Sequence, residues 1–600
     1  MIPDLSISAL LKAYREGSCS PREIVLDAWR RAASDDPAIW ISRPTEEQLR
    51  ESLRALEGES PDSKPLYGIP FAIKDNIDCA GFPTTAACPA WSYEPAQHAF
   101  VVKLLIDAGA IPMGKTNLDQ FATGLVGVRS PYGVPGNAFN PDYIPGGSSA
   151  GSAVAVAKGL CSFSLGTDTA GSGRVPASFN NLIGLKATRG LLSCTGVVPA
   201  CRTLDCVSIF ALTAADASSV LKVAAAFDEA DAYARSAGLS AEFSWPPKIG
   251  VPRSDQLDFF GNDDAKRLFD HARQTIAGMG WEIIEVDISA FLDAARLLYE
   301  GPWVAERTAV VSKLLAEQPE ALLPVTRTII EGGLKGTAVD AFRAQYRLAE
   351  LRRASEATWQ NINSLLMPTA GTIYTRAEVE AEPIKLNSNL GRYTNFMNLL
   401  DLCGCAVPAG FQCNGLPWGV TFYAPPHGDA LVLDCAARFH AEANLPLGKS
   451  SAMSSDVPLP ESPPSTVPMM KIAVCGAHME GLALHWQLSD RKARFVQRIQ
   501  SAPCYRLYLL PANGRIPDRP GMVRVREGGA AIELEVWEIP KSTMGSFLEG
   551  IAAPLVLGRV QLADGSHVCG FVCEGLISET AREITSYGSW REWLTYQTTE

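Results

Sequence analysis

Two small-residue stretches decide how this chain is read: Gly146-Gly-Ser-Ser-Ala-Gly-Ser152 and, further on, Gly166-Thr-Asp-Thr-Ala-Gly-Ser-Gly-Arg174. Upstream lies Gly68-Ile-Pro-Phe-Ala-Ile-Lys74-Asp-Asn76, an apolar strand-like run that would bury its lysine. The first stretch leads into Ala153-Val-Ala-Val-Ala157, which reads as a buried helix. It follows Asn140-Pro-Asp-Tyr-Ile-Pro145, whose prolines oppose a central strand. Residues 147–151 match G-x-S-x-G, but without a preceding strand they cannot form the nucleophile elbow of an α/β-hydrolase.

A serine hydroxyl becomes a useful nucleophile only when a neighbouring base takes its proton. Histidine is the usual base, but His98, His271, His427, His440, His478, His485 and His567 all lie outside these stretches. A lysine can replace histidine when burial lowers its pKa towards neutrality. Around Ser172, the small residues Thr169, Ala170 and Gly171 let backbone N–H groups approach a developing oxyanion. Asp168 and Arg174 flank this segment and are expected to pair and brace it.

In this order, Lys74, the Ser148 stretch and the Ser172 stretch resemble the amidase signature family of serine hydrolases. The resemblance runs from about residue 5 to 445 and includes Asn398-Leu-Leu-Asp-Leu-Cys-Gly-Cys-Ala-Val-Pro-Ala-Gly410. It implies an α/β amidase signature fold, with a central mixed sheet flanked by helices. It also implies the catalytic roles: Ser172 attacks the amide carbonyl, and Ser148, held by a cis peptide bond, relays the proton to Lys74. Thr169, Ala170 and Gly171 form the oxyanion hole, with no metal or organic cofactor. Leu298-Tyr299-Glu-Gly-Pro-Trp-Val-Ala-Glu306-Arg307 looks like the allophanate hydrolase branch, in which such a tyrosine and arginine hold the substrate carboxylate. A continuous helix would set Tyr299 and Arg307 about two turns apart on nearly one face. The competing expectation is that Arg307 pairs with Glu306 or Glu300 on a solvated helix. Gly124 falls where relatives line the pocket, and its missing side chain would let backbone meet a small substrate. The implied substrate is allophanate, cleaved to ammonia and carbon dioxide in urea degradation; malonamate is another small acyl amide to test.

The 600 residues imply more than one domain, and 47% apolar content is enough for a large core. A net charge of −12 opposes a general nucleic-acid or membrane-surface role. The fifteen cysteines show no disulfide framework, which suggests reduced thiols in a cytoplasmic protein. Cys403-Gly-Cys405 reads as core. The N-terminal residues suggest an amphipathic helix and no signal peptide, and a homodimer is expected. Strand-like Lys248–Pro252 and helical Val101–Asp107 and Asp263–Met279 fit a sheet with helices on both faces. These features divide the chain into a catalytic domain (1–455), a proline-rich linker (456–468) and a smaller α+β domain (469–600).

The tail resembles the C-terminal domain of allophanate hydrolases, which looks like a γ-glutamylcyclotransferase-type fold, although its opening departs from the Tyr-Gly-Ser turn of true cyclotransferases. His478 and Glu549 are its candidates for handling a decarboxylating intermediate. Two other classes compete: an amidotransferase component that passes ammonia to a partner enzyme, and a non-catalytic scaffold. The acidic balance, the Arg307 motif and the tail weigh against the first. Intact Lys74, Ser148 and Ser172 weigh against the second.

Overall fold

The computed structural model describes residues 4–236, 245–459, 469–512 and 517–599. Its described residues fall into two compact units, one ending by residue 459 and the other starting at 469. Residues 460–468 of the expected linker lie outside the described residues.

The larger unit is built on an eleven-stranded mixed sheet. Its spatial order is Trp40–Ser42, Ile111–Thr116, Pro70–Lys74, Phe163–Asp168, Cys206–Ala211, Ile183–Lys186, Cys403–Phe411, Pro417–Ala424, Ser364–Pro368, Ile249–Pro252 and Ile283–Val286. Strands such as Phe163–Asp168 and Cys206–Ala211 are buried at every position. Their near-continuous apolar sequences suit strands covered on both faces. Cys403 and Cys405 are buried strand residues, as expected.

Pro70–Lys74 and Phe163–Asp168 are parallel neighbours, with Phe71 opposite Phe163 and Ile73 opposite Leu165. Parallel pairing brings their C-terminal ends together, so Lys74 meets Thr167 and Asp168 where open α/β sheets commonly place their sites. Helix Ala150–Ala157 packs against Pro70–Lys74, Ile111–Thr116 and Phe163–Asp168, and all eight of its residues are buried. It contains only Ala, Gly, Ser and Val, small enough for the close approach that brings its N-terminal end, with Ser148, towards the same strand ends.

A second core layer joins helices Ser289–Glu300, Trp303–Glu317 and Ala338–Glu356 through Phe291, Leu298, Trp303 and Leu348. Ala170, in the Ser172 loop, belongs to this cluster. The expected continuous helix through Tyr299 and Arg307 is broken. One helix ends at Glu300 and the next begins at Trp303. Pro302 has no N–H with which to continue the first helix. Gly301 turns extended, and a Cβ there would lie 2.5 Å from the Leu297 carbonyl oxygen.

The smaller unit is α+β. Its mixed sheet orders Arg494–Gln500, Glu533–Pro540, Met469–Val474, His567–Cys573 and Leu555–Gln561, beside a hairpin of Tyr505–Leu510 and Arg519–Arg524. Trp590 and Trp593 on the last helix close its core.

Candidate active site

Lys74 ends its strand fully buried, with Nζ 2.8 Å from Ser148 Oγ and 2.7 Å from Thr167 Oγ1. Burial pulls its pKa down to about 7, against the opposing pull of Asp119, Asp205 and Asp168; the nearby Arg307 cation lowers it further. A lysine in this condition supplies neutral amine near neutral pH.

The Gly147–Ser148 peptide bond is cis. The Ser148 carbonyl accepts the Asp119 N–H (3.0 Å), and the Gly147 N–H donates to the Leu125 carbonyl (2.8 Å). The Asp119 carboxylate accepts the N–H groups of Gly127 and Arg129, each at 2.9 Å. A Cβ on Gly147 would lie 2.1 Å from Asp119 Oδ2, so only glycine fits here. Asp119 therefore fixes the turn that presents Ser148.

Asp168 organises the Ser172 loop. Its carboxylate accepts the N–H groups of Gly171 (2.7 Å) and Gly173 (3.0 Å) and a two-pronged contact from Arg174 (2.8 and 3.0 Å). Both partners of this ion pair are fully buried. Burial alone would raise the Asp168 pKa, but Arg174 holds it below the usual carboxylate range. The expected brace is thus present. It also corrects one expectation: the Gly171 amide is committed to Asp168, so Gly171 holds the turn. Its φ of +136° and the Thr394 hydroxyl, 2.4 Å from where a Cβ would stand, explain why the residue is glycine. Thr169 Oγ1 donates to Asp205, which also accepts the Ala200 N–H at 2.8 Å.

Arg307 is 4% exposed, which sets aside the solvated helix. Its Nη1 donates to the Ala122 carbonyl (3.2 Å) and Thr123 Oγ1 (3.1 Å). Glu306 instead accepts from the backbone N–H and hydroxyl of Thr203. Tyr299 lines a cavity of about 750 Å³ that also reaches Arg129, Gly301 and Asn387. The space beside Gly124 is filled from within, since a Cβ would meet Asp119 Oδ2 at 2.5 Å and Arg129 Nη1 at 3.2 Å. Its absent side chain thus makes room for Asp119 and Arg129. Asp119, Asp205 and Arg129 escaped the sequence reading, because each is an isolated residue in a loop whose partners are loop backbone and side chains that no sequence pattern pairs with it. Thr167 had a signal: it lies inside the Gly166–Arg174 stretch.

The Amidase family sequence model matches residues 23–433. The chain belongs to the amidase family. A second match, to the allophanate hydrolase C-terminal domain, covers residues 470–595. The solved allophanate hydrolase of Kluyveromyces lactis superposes with a TM-score of 0.77 at 39% identity, covering 98% of this chain and 99% of that one. The urea amidolyase of Saccharomyces cerevisiae is 42% identical over 591 residues, covering 95% of this chain but 32% of that protein. The chain thus spans about a third of the length of the urea amidolyases it matches. A glutamyl-tRNA(Gln) amidotransferase component from a Synechococcus species is 31% identical but covers 74% of this chain. The chain thus combines a mixed α/β amidase fold with a smaller C-terminal domain of the kind that allophanate hydrolases carry.

In that C-terminal domain His478 is stacked on Phe571, with ring centres 4.9 Å apart, and its Nε2 lies 3.1 Å from Gln487 Oε1. Burial lowers its pKa. It lines a cavity of about 200 Å³ together with Arg519, whose Nη1 is buried without a hydrogen-bond partner. The structure does not bring Glu549 to this cavity: it is exposed at the end of helix Met544–Leu548, and the following Gly550 and Ile551 provide the lining. Phe547 on this helix is the residue that packs against His478, and Glu549, two residues or about 200° further round, falls on the opposite side.

Proposed function

We propose that this amidase hydrolyses allophanate with Ser172 as nucleophile, Ser148 as proton relay and Lys74 as base. The carrying observation is the contact between buried Lys74, its pKa brought near 7, and Ser148 on the turn fixed by Asp119. Ser172 Oγ attacks the terminal amide carbonyl while its proton passes through Ser148 Oγ to Lys74 Nζ. The oxyanion is met by the backbone N–H groups of Thr169 and Ala170, held by Asp205 and Asp168. As the tetrahedral adduct collapses, the proton returns along the same path to the leaving nitrogen, and ammonia departs. Water, deprotonated by the same relay, cleaves the acyl-enzyme, freeing Ser172 and an N-carboxycarbamate dianion. Loss of carbon dioxide leaves carbamate, which breaks down to ammonia and carbon dioxide. Allophanate, water and one proton thus give two ammonia and two carbon dioxide.

Arg307 supplies a planar cation for the substrate carboxylate, with Tyr299 and the Gly124 backbone completing the pocket. In the C-terminal domain, His478 and Arg519 together suit the dianion and its loss of carbon dioxide. The reading places the enzyme in urea nitrogen metabolism, as a cytoplasmic homodimer without nucleic-acid or membrane partners. The net charge of −12 supports the exclusion of a general nucleic-acid partner, and among the described residues no helix is long and apolar enough to cross a membrane. The amidotransferase alternative shares only the first domain.

The test is ammonia release from allophanate, urea, biuret, malonamate and a neutral aliphatic amide, beside Ser172→Ala. Allophanate should dominate, and the variant should lose at least ~10³-fold. Preference for the neutral amide would remove the carboxylate role of Arg307, and silence on every substrate would remove the reaction.

A further inference from the structure

Arg129 has no part in the reaction just described, yet it is buried to 3% exposure and lines the same cavity as Tyr299. Its guanidinium bonds only to neutral groups: Nη1 donates to the Thr123 carbonyl (2.8 Å) and Nη2 to the Pro383 carbonyl (2.6 Å), while Nε has no partner. Arg307 is similar, bonded to the Ala122 carbonyl and the Thr123 hydroxyl. Among the described residues neither guanidinium has a carboxylate within ion-pair distance. Carboxylates act on them only through space, Asp119 on Arg129 and Asp205 on Arg307, so the direct contacts that fix each guanidinium are the neutral groups of the Ala122–Thr123 segment and Pro383.

The two arginines also share a support. Thr123 gives its carbonyl to Arg129 and its hydroxyl to Arg307, so one residue links the two cations. The next residue is Gly124, and Arg129 Nη1 occupies the space beside it. The Arg129 backbone N–H is in turn held by Asp119, which fixes the Ser148 turn. Arg129 therefore joins the segment that seats Arg307 to the segment that seats the serine relay. Its Nε has no partner, and the cavity it lines is shared with Tyr299.

We propose that Arg129 is a specificity-determining positioning residue: through Thr123 it holds Arg307 and the Gly124 backbone in place for a substrate carboxylate, so that the pocket selects carboxylated over neutral amides. The inference rests on the reading of Arg307 as the carboxylate anchor. It predicts discrimination by charge at a point remote from the bond that breaks, so its loss should appear in KM and not in the chemical step.

The test measures kcat and KM for malonamate and for a neutral aliphatic amide in the full-length wild type, Arg129→Gln, Arg129→Lys and Arg307→Ala. Removing a charge-assisted contact of this kind should raise the malonamate KM of Arg129→Gln by ~10-fold or more. Its kcat/KM should fall at least ~10-fold more on malonamate than on the neutral amide. Arg129→Lys keeps the charge and one of the two bonds, and should recover most of the lost KM. Equal losses on both substrates, or no change on either, would overturn the proposal. If thermal melting shows that Arg129→Gln does not fold, Arg129→Lys decides alone: the part of the KM increase it does not recover should be confined to malonamate, and equal losses on both substrates, or no change on either, overturn the proposal. Arg307→Ala separates the two readings. A selective loss there without one at Arg129 removes only this inference, and no selective loss at Arg307 removes the anchor itself.

Discussion

At the scale of single residues, the decisive property is the protonation of Lys74. Desolvation penalises its ammonium form, and three buried carboxylates nearby leave the pKa at about 7 instead of lower. Only the neutral amine can take the serine proton, so kcat/KM should rise with pH through about 7 and then level off. A Lys74→Ala variant should lose ~10³-fold or more and lose this rise with it. An unchanged pH profile in the residual activity would show that another group titrates. The meeting of Lys74 with Ser148 was legible because each lies in a short stretch whose residue types serve one chemical need. Asp119 and Asp205 were not: their work is to accept N–H and hydroxyl groups from loops that the sequence does not show to be neighbours. The commitment of the Gly171 amide to Asp168 was hidden for the same reason, since both a brace and an oxyanion hole call for small residues there.

At the scale of elements, the strand Pro70–Lys74 and the buried helix Ala150–Ala157 follow from composition, because an apolar run and an Ala/Val run each have one comfortable environment. The break at Gly301–Pro302 was also written in the sequence, but reading Tyr299 and Arg307 by helical spacing overrode the proline. The break lets the two side chains come from separate helices. Another element carries a pH-sensitive contact. Asp216, near the start of helix Ala214–Ala224, accepts the Ile7 N–H (3.0 Å) at the start of the first helix, while its Oδ2 has no partner. Burial pushes this carboxyl up to about 7. Between about pH 4, where an unfolded aspartate titrates, and 7, the folded state holds a proton that the unfolded state has released. The contribution of Asp216 to stability is therefore complete below about pH 4 and falls as pH rises through 7. Asp216→Asn keeps an acceptor for Ile7 and removes the titration. The melting temperature of the wild type relative to this variant should thus fall from pH 5 to 7.5, and a constant difference would show that Asp216 does not titrate there.

At the scale of the whole molecule, the proposed reaction has the amidase unit release the first ammonia and leave a dianion whose remaining steps need no nucleophile. Such a species loses carbon dioxide once its charge is reduced, which calls for a proton donor beside a cation. His478 and Arg519, lining one cavity in the C-terminal domain, are a pair of that kind. Burial keeps His478 neutral at ordinary pH, while an arriving dianion would favour its protonated form. In full-length His478→Asn, the first ammonia should therefore appear at the wild-type rate, while carbon dioxide and the second ammonia lag behind it. Following both products from allophanate over time distinguishes the cases, with Ser172→Ala silencing both. If carbon dioxide keeps pace with ammonia in His478→Asn, the dianion breaks down without help and the second domain has another purpose. If the first ammonia slows as well, His478 acts on the fold and not on the intermediate.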